Sequence, residues 1–211
     1  FFEDRFYDIR MNQNIEEDAF DDRIILAMID EYTLEKVGRF PFTRTVWANF
    51  MDKMSAFSPK VVSFDVFFVE PELQCNGISP DNSFADSINK FQSVEGRKVV
   101  LPYSLSHATG EYITHREFKE VPDDLYNFMT TAQVASESSL KKMSVSKNAY
   151  PIKTLVNTNV GLGHIQATDD ADGIYRHYYL IGNVDDIYFQ SFSLLTYQYY
   201  TDDQAQLIKN N

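Results

Sequence analysis

The sequence predicts an α/β fold: a mixed sheet with a parallel βαβαβ start, a C-terminal antiparallel hairpin, and helices on both faces. Three observations carry this expectation. Residues 24–30 (IILAMID), 61–69 (VVSFDVFFV) and 98–105 (KVVLPYSL) are apolar runs rich in Val, Ile and Phe, as in strands covered on both faces. Segments with apolar residues at helical spacing separate them, and that alternation favours parallel pairing through right-handed crossovers. Further on, Asp172-Gly173 lies between two strand-like stretches, and Gly accepts the positive φ that a tight turn requires.

In chain order, Phe2, Phe6, Ile9 and Met11 follow helical spacing and predict a short first helix, which packs on the domain or continues a membrane-proximal helix. The run 24–30 is the first strand. EYTLEKVG then reads as one or two helical turns, with Thr33 as N-cap and Gly38 as the stop. Residues 43–57 form a longer helix, with Val46, Trp47, Phe50, Met51, Met54 and Phe57 on one face and Pro59 ending it. The second strand, 61–69, stops before Pro71. A turn-rich loop leads to a helix carrying Phe84, Ile88 and Phe91, capped by Asp81 or Asn82, and the third strand follows at 98–105.

Residues 106–159 are polar, with Pro122, Pro151 and a weak helix at 123–128. Residues 136–146, rich in Ser and Lys, are expected to be a mobile loop. VGLGHIQAT and IYRHYYLIGNV form the hairpin about DDADG, with a bend at Gly161-Leu162-Gly163. Residues 188–200 form a final aromatic helix, and 201–211 fray or lead back to a membrane segment.

A length of 211 residues suits one domain, taken as 1–211, with 1–20 a membrane-proximal helical segment and 201–211 a tail. The chain ends are expected on one face. The net charge of −12 repels phosphate backbones and anionic lipid surfaces, which argues against nucleic acid as a partner. The longest apolar run, 24–29, is far shorter than the roughly 18–20 residues that span a bilayer. Cys75 is the only cysteine, so no intrachain disulfide and no Cys-based metal site can form. The opening at Phe1, in charged sequence without a signal peptide, reads as a cut from a longer protein.

Four stretches together resemble the CHASE2 family of extracellular sensor domains: 6–11 (FYDIRM), 29–54 (IDEYTLEKVGRFPFTRTVWANFMDKM), 60–72 (KVVSFDVFFVEPE) and 163–180 (GHIQATDDADGIYRHYYL). The most specific piece combines Gly38, Pro41-Phe42-Thr43-Arg44 and Phe64-Asp65-Val66. The family commonly has Trp where Phe40 and Phe42 stand, and Pro where Thr43 stands; the aromatic bulk is kept. Residues 106–159 carry no part of the resemblance. The resemblance implies a domain on the periplasmic or extracellular side of a bacterial cytoplasmic membrane. It implies flanking membrane helices, a cytoplasmic output unit (a nucleotide or diguanylate cyclase, or a kinase), and an unknown small-molecule or periplasmic ligand. The sequence is also compatible with a homodimer.

The candidate ligand-binding residues are Asp30, Arg44, Asp65 and Glu70. Asp30 ends the first strand and Asp65 lies in the second, so parallel pairing would bring their carboxylates near each other, with Arg44 in reach of both. Open α/β sheets bind ligands beyond the carboxyl ends of their strands. The competing reading is a buried Asp65–Arg44 pair that fixes strand–helix packing, because a lone buried charge must be partnered. Asp65 is expected to be that structural pair and Asp30 to face a pocket.

No nucleophile–base signature, P-loop or metal spacing occurs, so no catalytic residue, no metal and no cofactor is assigned. Asp170 and Asp172 imitate a calcium loop, but its twelfth position would be Ile181. The alternatives are a hydrolase-like enzyme, with Glu70 and Glu72 joining Asp65, and a periplasmic protein-interaction module.

Overall fold

The computed structural model describes residues 2–13, 21–74, 77–107, 116–129, 142–170 and 172–203. The chain forms two compact units, Phe1–Pro41 and Phe42–Asn211.

In the first unit, α1 (Phe2–Gln13) carries Glu3 and Asp4 in its first turn and Arg10 in its last, which suits the helix dipole. Residues 24–30 correct the sequence expectation. They form no strand and are open to solvent, with Ile25 89%, Leu26 81% and Met28 75% exposed. Strand formation needs a neighbouring backbone to take up its N–H and C=O groups, and no described residue of this unit offers one. Helix α2 (Glu31–Val37) follows. Its N-cap is Asp30 instead of Thr33: the Asp30 carboxylate accepts from the Thr33 N–H at 2.8 Å and from its hydroxyl at 2.7 Å. Gly38, at φ 116°, closes the helix as expected.

The second unit is built on a three-stranded parallel sheet in the order β1 (Val61–Ser63), β2 (Lys98–Tyr103), β5 (Gly161–His164). Helix α3 (Arg44–Phe57) leads into β1, and α4 (Pro80–Gln92) crosses from β1 to β2. The second strand is shorter than the run 61–69: past Ser63 only the Phe64 N–H still reaches Val100, and the chain then leaves the sheet. Helix α3 ends at Ser58, which is left-handed and donates to the Met54 carbonyl at 2.9 Å. Phe57 is 77% exposed and leaves the predicted apolar face. The cap of α4 is Ser79, with Pro80 in the first turn; Asp81 is engaged elsewhere.

Past β2, the predicted third strand breaks at Ser104 and continues as β3 (Leu105–His107), antiparallel to β4 (Met143–Val145). The loop expected at 136–146 is therefore corrected over 143–145, a buried strand; 136–141 lie outside the described residues. The weak helix appears as a 3₁₀ turn, Asp123–Phe128, and Lys147–Ala149 forms another. Helix α5 (Lys153–Val156) precedes β5.

The predicted hairpin splits into two. Strand β6 (Ala167–Thr168) pairs with β7 (His177–Tyr178) around the Asp172-Gly173 turn. Strand β8 (Ile181–Val184) pairs with β9 (Ile187–Gln190). Asp185 and Asp186, at φ 51° and 65°, join β8 to β9 with both central residues at positive φ, as right-twisted hairpins favour. The final helix, α6 (Phe192–Thr201), thus starts later than the expected 188, capped by the Ser191 hydroxyl. The tail from 204 on lies outside the described residues.

The sheet has two differently built faces. Val62, Val99, Leu101, Tyr103 and Leu162 join the core that α3 and α4 complete, including Trp47, Met51, Phe84, Ile88 and Phe91. The other face carries small side chains beneath α6. Ser63 shares a hydrogen bond with Thr196 at 2.8 Å. A Cβ on Gly161 would strike the Tyr199 ring, and one on Gly163 would strike the backbone of Phe192. The two glycines therefore lie within a regular strand and set the close approach of α6; they do not bend the strand.

Candidate functional site

Of the four predicted site residues, the structure joins Arg44 and Glu70, through the Glu70 backbone. The Arg44 guanidinium donates to the Glu70 carbonyl at 2.9 Å. Its charge partner is Asp81, with Arg44 Nε 3.1 Å from Asp81 Oδ1 and both side chains nearly buried. The Nε–H direction does not make a hydrogen bond of that contact. Asp81 also accepts the Glu72 N–H at 2.9 Å, and the Glu72 carboxylate accepts the Arg44 N–H at 2.6 Å, at the first turn of α3. The guanidinium lies over the Phe68 ring, 4.8 Å from its centroid.

This corner fastens α3, α4 and the segment after β1 together. The buried Asp–Arg pair thus exists, but Asp65 is not its carboxylate. Asp65 is exposed and makes no described bond to Arg44. The slip has a physical cause: the β1 ladder ends at Ser63, so the backbone at Asp65 no longer follows a strand's alternation. Asp30 belongs to the other unit, where Thr33 holds its carboxyl below the usual range. Glu72, offered as an acid or base, has its carboxylate engaged at the α3 terminus.

At the carboxyl ends of β2 and β5 stand Tyr103 and His164, paired in register. Both are fully buried. The Tyr103 ring meets Tyr150 edge-on at 6.1 Å and His164 at 6.3 Å. The hydroxyls of Tyr103 and Tyr150 and the Nε2 of His164 have no hydrogen-bond partner among the described residues. Burial raises both tyrosine pKa values.

His164 Nδ1 accepts the Gln166 N–H at 3.3 Å, which places the proton on Nε2 of the neutral ring. Burial lowers its pKa to about 4, against a weak opposing contact with the Phe189 backbone. Because the folded value lies below 6.5, the unfolded chain takes the proton first as pH falls. The stability from neutral His164 is complete above about pH 6.5 and is lost progressively down to about pH 4. Between pH 7 and pH 5 the loss should be about 2 kcal/mol. Urea unfolding of wild type and His164→Gln at both pH values tests this: the wild type should lose about 2 kcal/mol more than the variant, and equal losses refute the assignment.

A pocket of about 210 Å³ opens between the 3₁₀ turn Asp123–Phe128 and α5. Asp124, Asn127, Asn157 and Asn159 give it a mainly polar lining; Phe128 is half-buried beside them, and Val156 and Val160 are buried beneath the floor. The Asp124 charge also raises the pKa of the Tyr150 hydroxyl, after burial, so the carboxylate acts on that partnerless group. Sequence reasoning passed over this site, whose lining runs from Asp124 to Val160 and, Val160 apart, lies within 106–159. One signal was present: Asn157-Thr158-Asn159, two polar residues around a Thr that folding buries.

Near the Asp172-Gly173 turn, Arg176 bonds both Asp172 oxygens at 2.8 Å and Asp170 at 2.9 Å. The guanidinium holds the Asp172 carboxyl down at about 2. These carboxylates thus close a hairpin around Arg176. No group of His, Cys, Asp and Glu residues suited to a metal occurs among the described residues. No helix among them is long and apolar enough to cross a membrane.

Comparison with known families decides the class. The CHASE2 domain family matches residues 1–210. The chain belongs to the CHASE2 family. CHASE2 domains are extracellular sensor domains of signalling proteins, sensory and not catalytic. No curated protein and no solved structure matches the chain. The CHASE2 match runs through residues 106–159, where the sequence motifs had not reached, and includes the pocket.

Proposed function

We propose that this CHASE2 domain is the ligand-sensing input module of a bacterial transmembrane receptor, held outside the cytoplasmic membrane and coupled to a cytoplasmic output domain such as a nucleotide cyclase, a diguanylate cyclase or a kinase. The observation that carries the reading is the family match over 1–210. A ligand that binds one conformation better than another shifts the receptor between them, and no chemistry in the domain is needed for that. The carboxylates that would have supported a hydrolase do not converge: Glu72 is tied to the Arg44 backbone, and Asp65 is exposed.

The test is placement. Alkaline phosphatase, which is active only outside the cytoplasm, is fused after Asp203 with the natural sequence before it intact. An active fusion is expected. An inactive one, paired with a fluorescent cytoplasmic reporter at the same position, overturns the reading.

A further inference from the structure

We propose that the pocket between the 3₁₀ turn Asp123–Phe128 and α5 is the input site, and that its ligand is a neutral, polyhydroxylated small molecule the size of a single sugar ring. The proposal rests on the sensor reading above and names the ligand class.

The chemistry of the lining selects the class. Three carboxamides, Asn127, Asn157 and Asn159, share the lining with one carboxylate, Asp124. A carboxamide offers a carbonyl that accepts and an NH₂ that donates twice. A hydroxyl both donates and accepts, so carboxamides satisfy it in either role. The Asp124 carboxylate only accepts, which suits neighbouring hydroxyls and rejects an anion on a chain of net charge −12. A cation would find one formal charge and three neutral amides, with much of the polar lining left unmatched. Phe128, half-buried at the edge of the pocket, supplies the apolar surface against which the C–H face of a ring packs, while Val156 and Val160 lie buried beneath the floor.

Size narrows it further. At about 30 Å³ per water, a volume of about 210 Å³ holds about seven waters. That is room for one ring and its hydroxyls, below the roughly 300–1,000 Å³ typical of drug-sized ligands.

The frame is fixed before any ligand arrives. The Asn157 N–H donates to Lys153 at 2.9 Å, and the Asn159 N–H to Val156 at 3.0 Å. Asn159 is left-handed, at φ 59°, a conformation that Asn tolerates. Thr158 between them is buried, and its hydroxyl donates to Leu155 at 2.6 Å. The Thr158 carbonyl accepts from Gln92 Nε2 at 2.8 Å, and Gln92 Oε1 accepts the Val99 N–H at 3.0 Å. The two exposed amides are thereby held on a turn tied to the central strand.

The experiment is calorimetric titration of the chain with D-glucose, D-galactose, D-mannose, D-ribose and myo-inositol, beside choline, putrescine, citrate and inorganic phosphate. At least one neutral polyol is expected to bind with a millimolar or tighter Kd, corresponding to about −4 kcal/mol or better. Asn157→Ala and Asp124→Asn should each weaken that binding by about tenfold or more, about 1.4 kcal/mol. Both side chains are at least partly exposed, so folding should survive, and circular dichroism verifies it. Three results overturn the proposal: no polyol binds, only an amine or an anion binds, or polyol binding persists unchanged in both folded variants. None of these alters the alkaline phosphatase result, so the ligand class can fail while the sensor reading stands, and the reverse.

Discussion

Asp81→Ala should lower the stability of the second unit by about 3–5 kcal/mol, because it leaves the nearly buried Arg44 guanidinium without a counter-charge. The loss reaches beyond the pair. The Glu72 N–H also loses its acceptor, and Glu72 is the residue that holds the first N–H of α3. Urea unfolding measures the change. Asp65→Ala is the control: its carboxylate is exposed, so its removal should fall within about 0.5 kcal/mol. The double variant Arg44→Met with Asp81→Leu should recover most of the loss, since apolar replacement of a buried ion pair is often close to neutral. A loss under about 1 kcal/mol in Asp81→Ala would show that Arg44 is hydrated, and the corner would then not be a structural lock.

Gly163→Ala should cost about 3 kcal/mol, at the top of the usual range for overpacking, and it is the smallest possible side-chain insertion. The new methyl would come within 2.7 Å of the Phe192 backbone nitrogen, and backbone cannot rotate aside as a side chain can. Helix α6 must move or the strand must slip. Gly161→Ala makes the comparison, because it mainly meets side chains, the Tyr199 ring and Leu195, which have rotamers to exploit. Its cost should be smaller, about 1–2 kcal/mol. Thermal unfolding of the two variants in one buffer should rank them in that order. A Gly163→Ala protein that melts with the wild type would mean that α6 does not rest on this strand.

Much of the scaffold was legible because pattern and burial agree there. Helix α3 shows its apolar face in the sequence, and that face, Phe57 aside, packs where the spacing says. Strand β2 reads as a continuous apolar run because both its faces are covered. The run at 24–30 has the same composition and, among the described residues of its unit, no strand to pair with, so composition alone misled. The caps were misjudged for a related reason. Asp81 has a good capping side chain, but its distant partner Arg44 holds it, and Ser79 takes the role. Strand β9 was hidden because its aromatic residues continue into α6 without a change of composition, and Asp185-Asp186 is a weaker turn signal than Asn-Gly. The Asp–Arg pair of the site was legible as a type of interaction, and its carboxylate was not, because pairing across 37 positions (44 to 81) leaves no local trace. The pocket was missed because its amides stand in polar sequence that looks like any exposed loop.

The single tryptophan of the chain gives this fold a built-in optical reporter. Trp47 is only 8% exposed, and Phe64 and Phe68 stand edge-on to its indole at 5.7 and 5.5 Å. In so dry a setting its emission is shifted to the blue, and exposure to water moves it to the red. Ultraviolet excitation at the red edge therefore follows the second unit alone, since the first contains no indole. The comparisons above need no dye, no tag and no added cysteine.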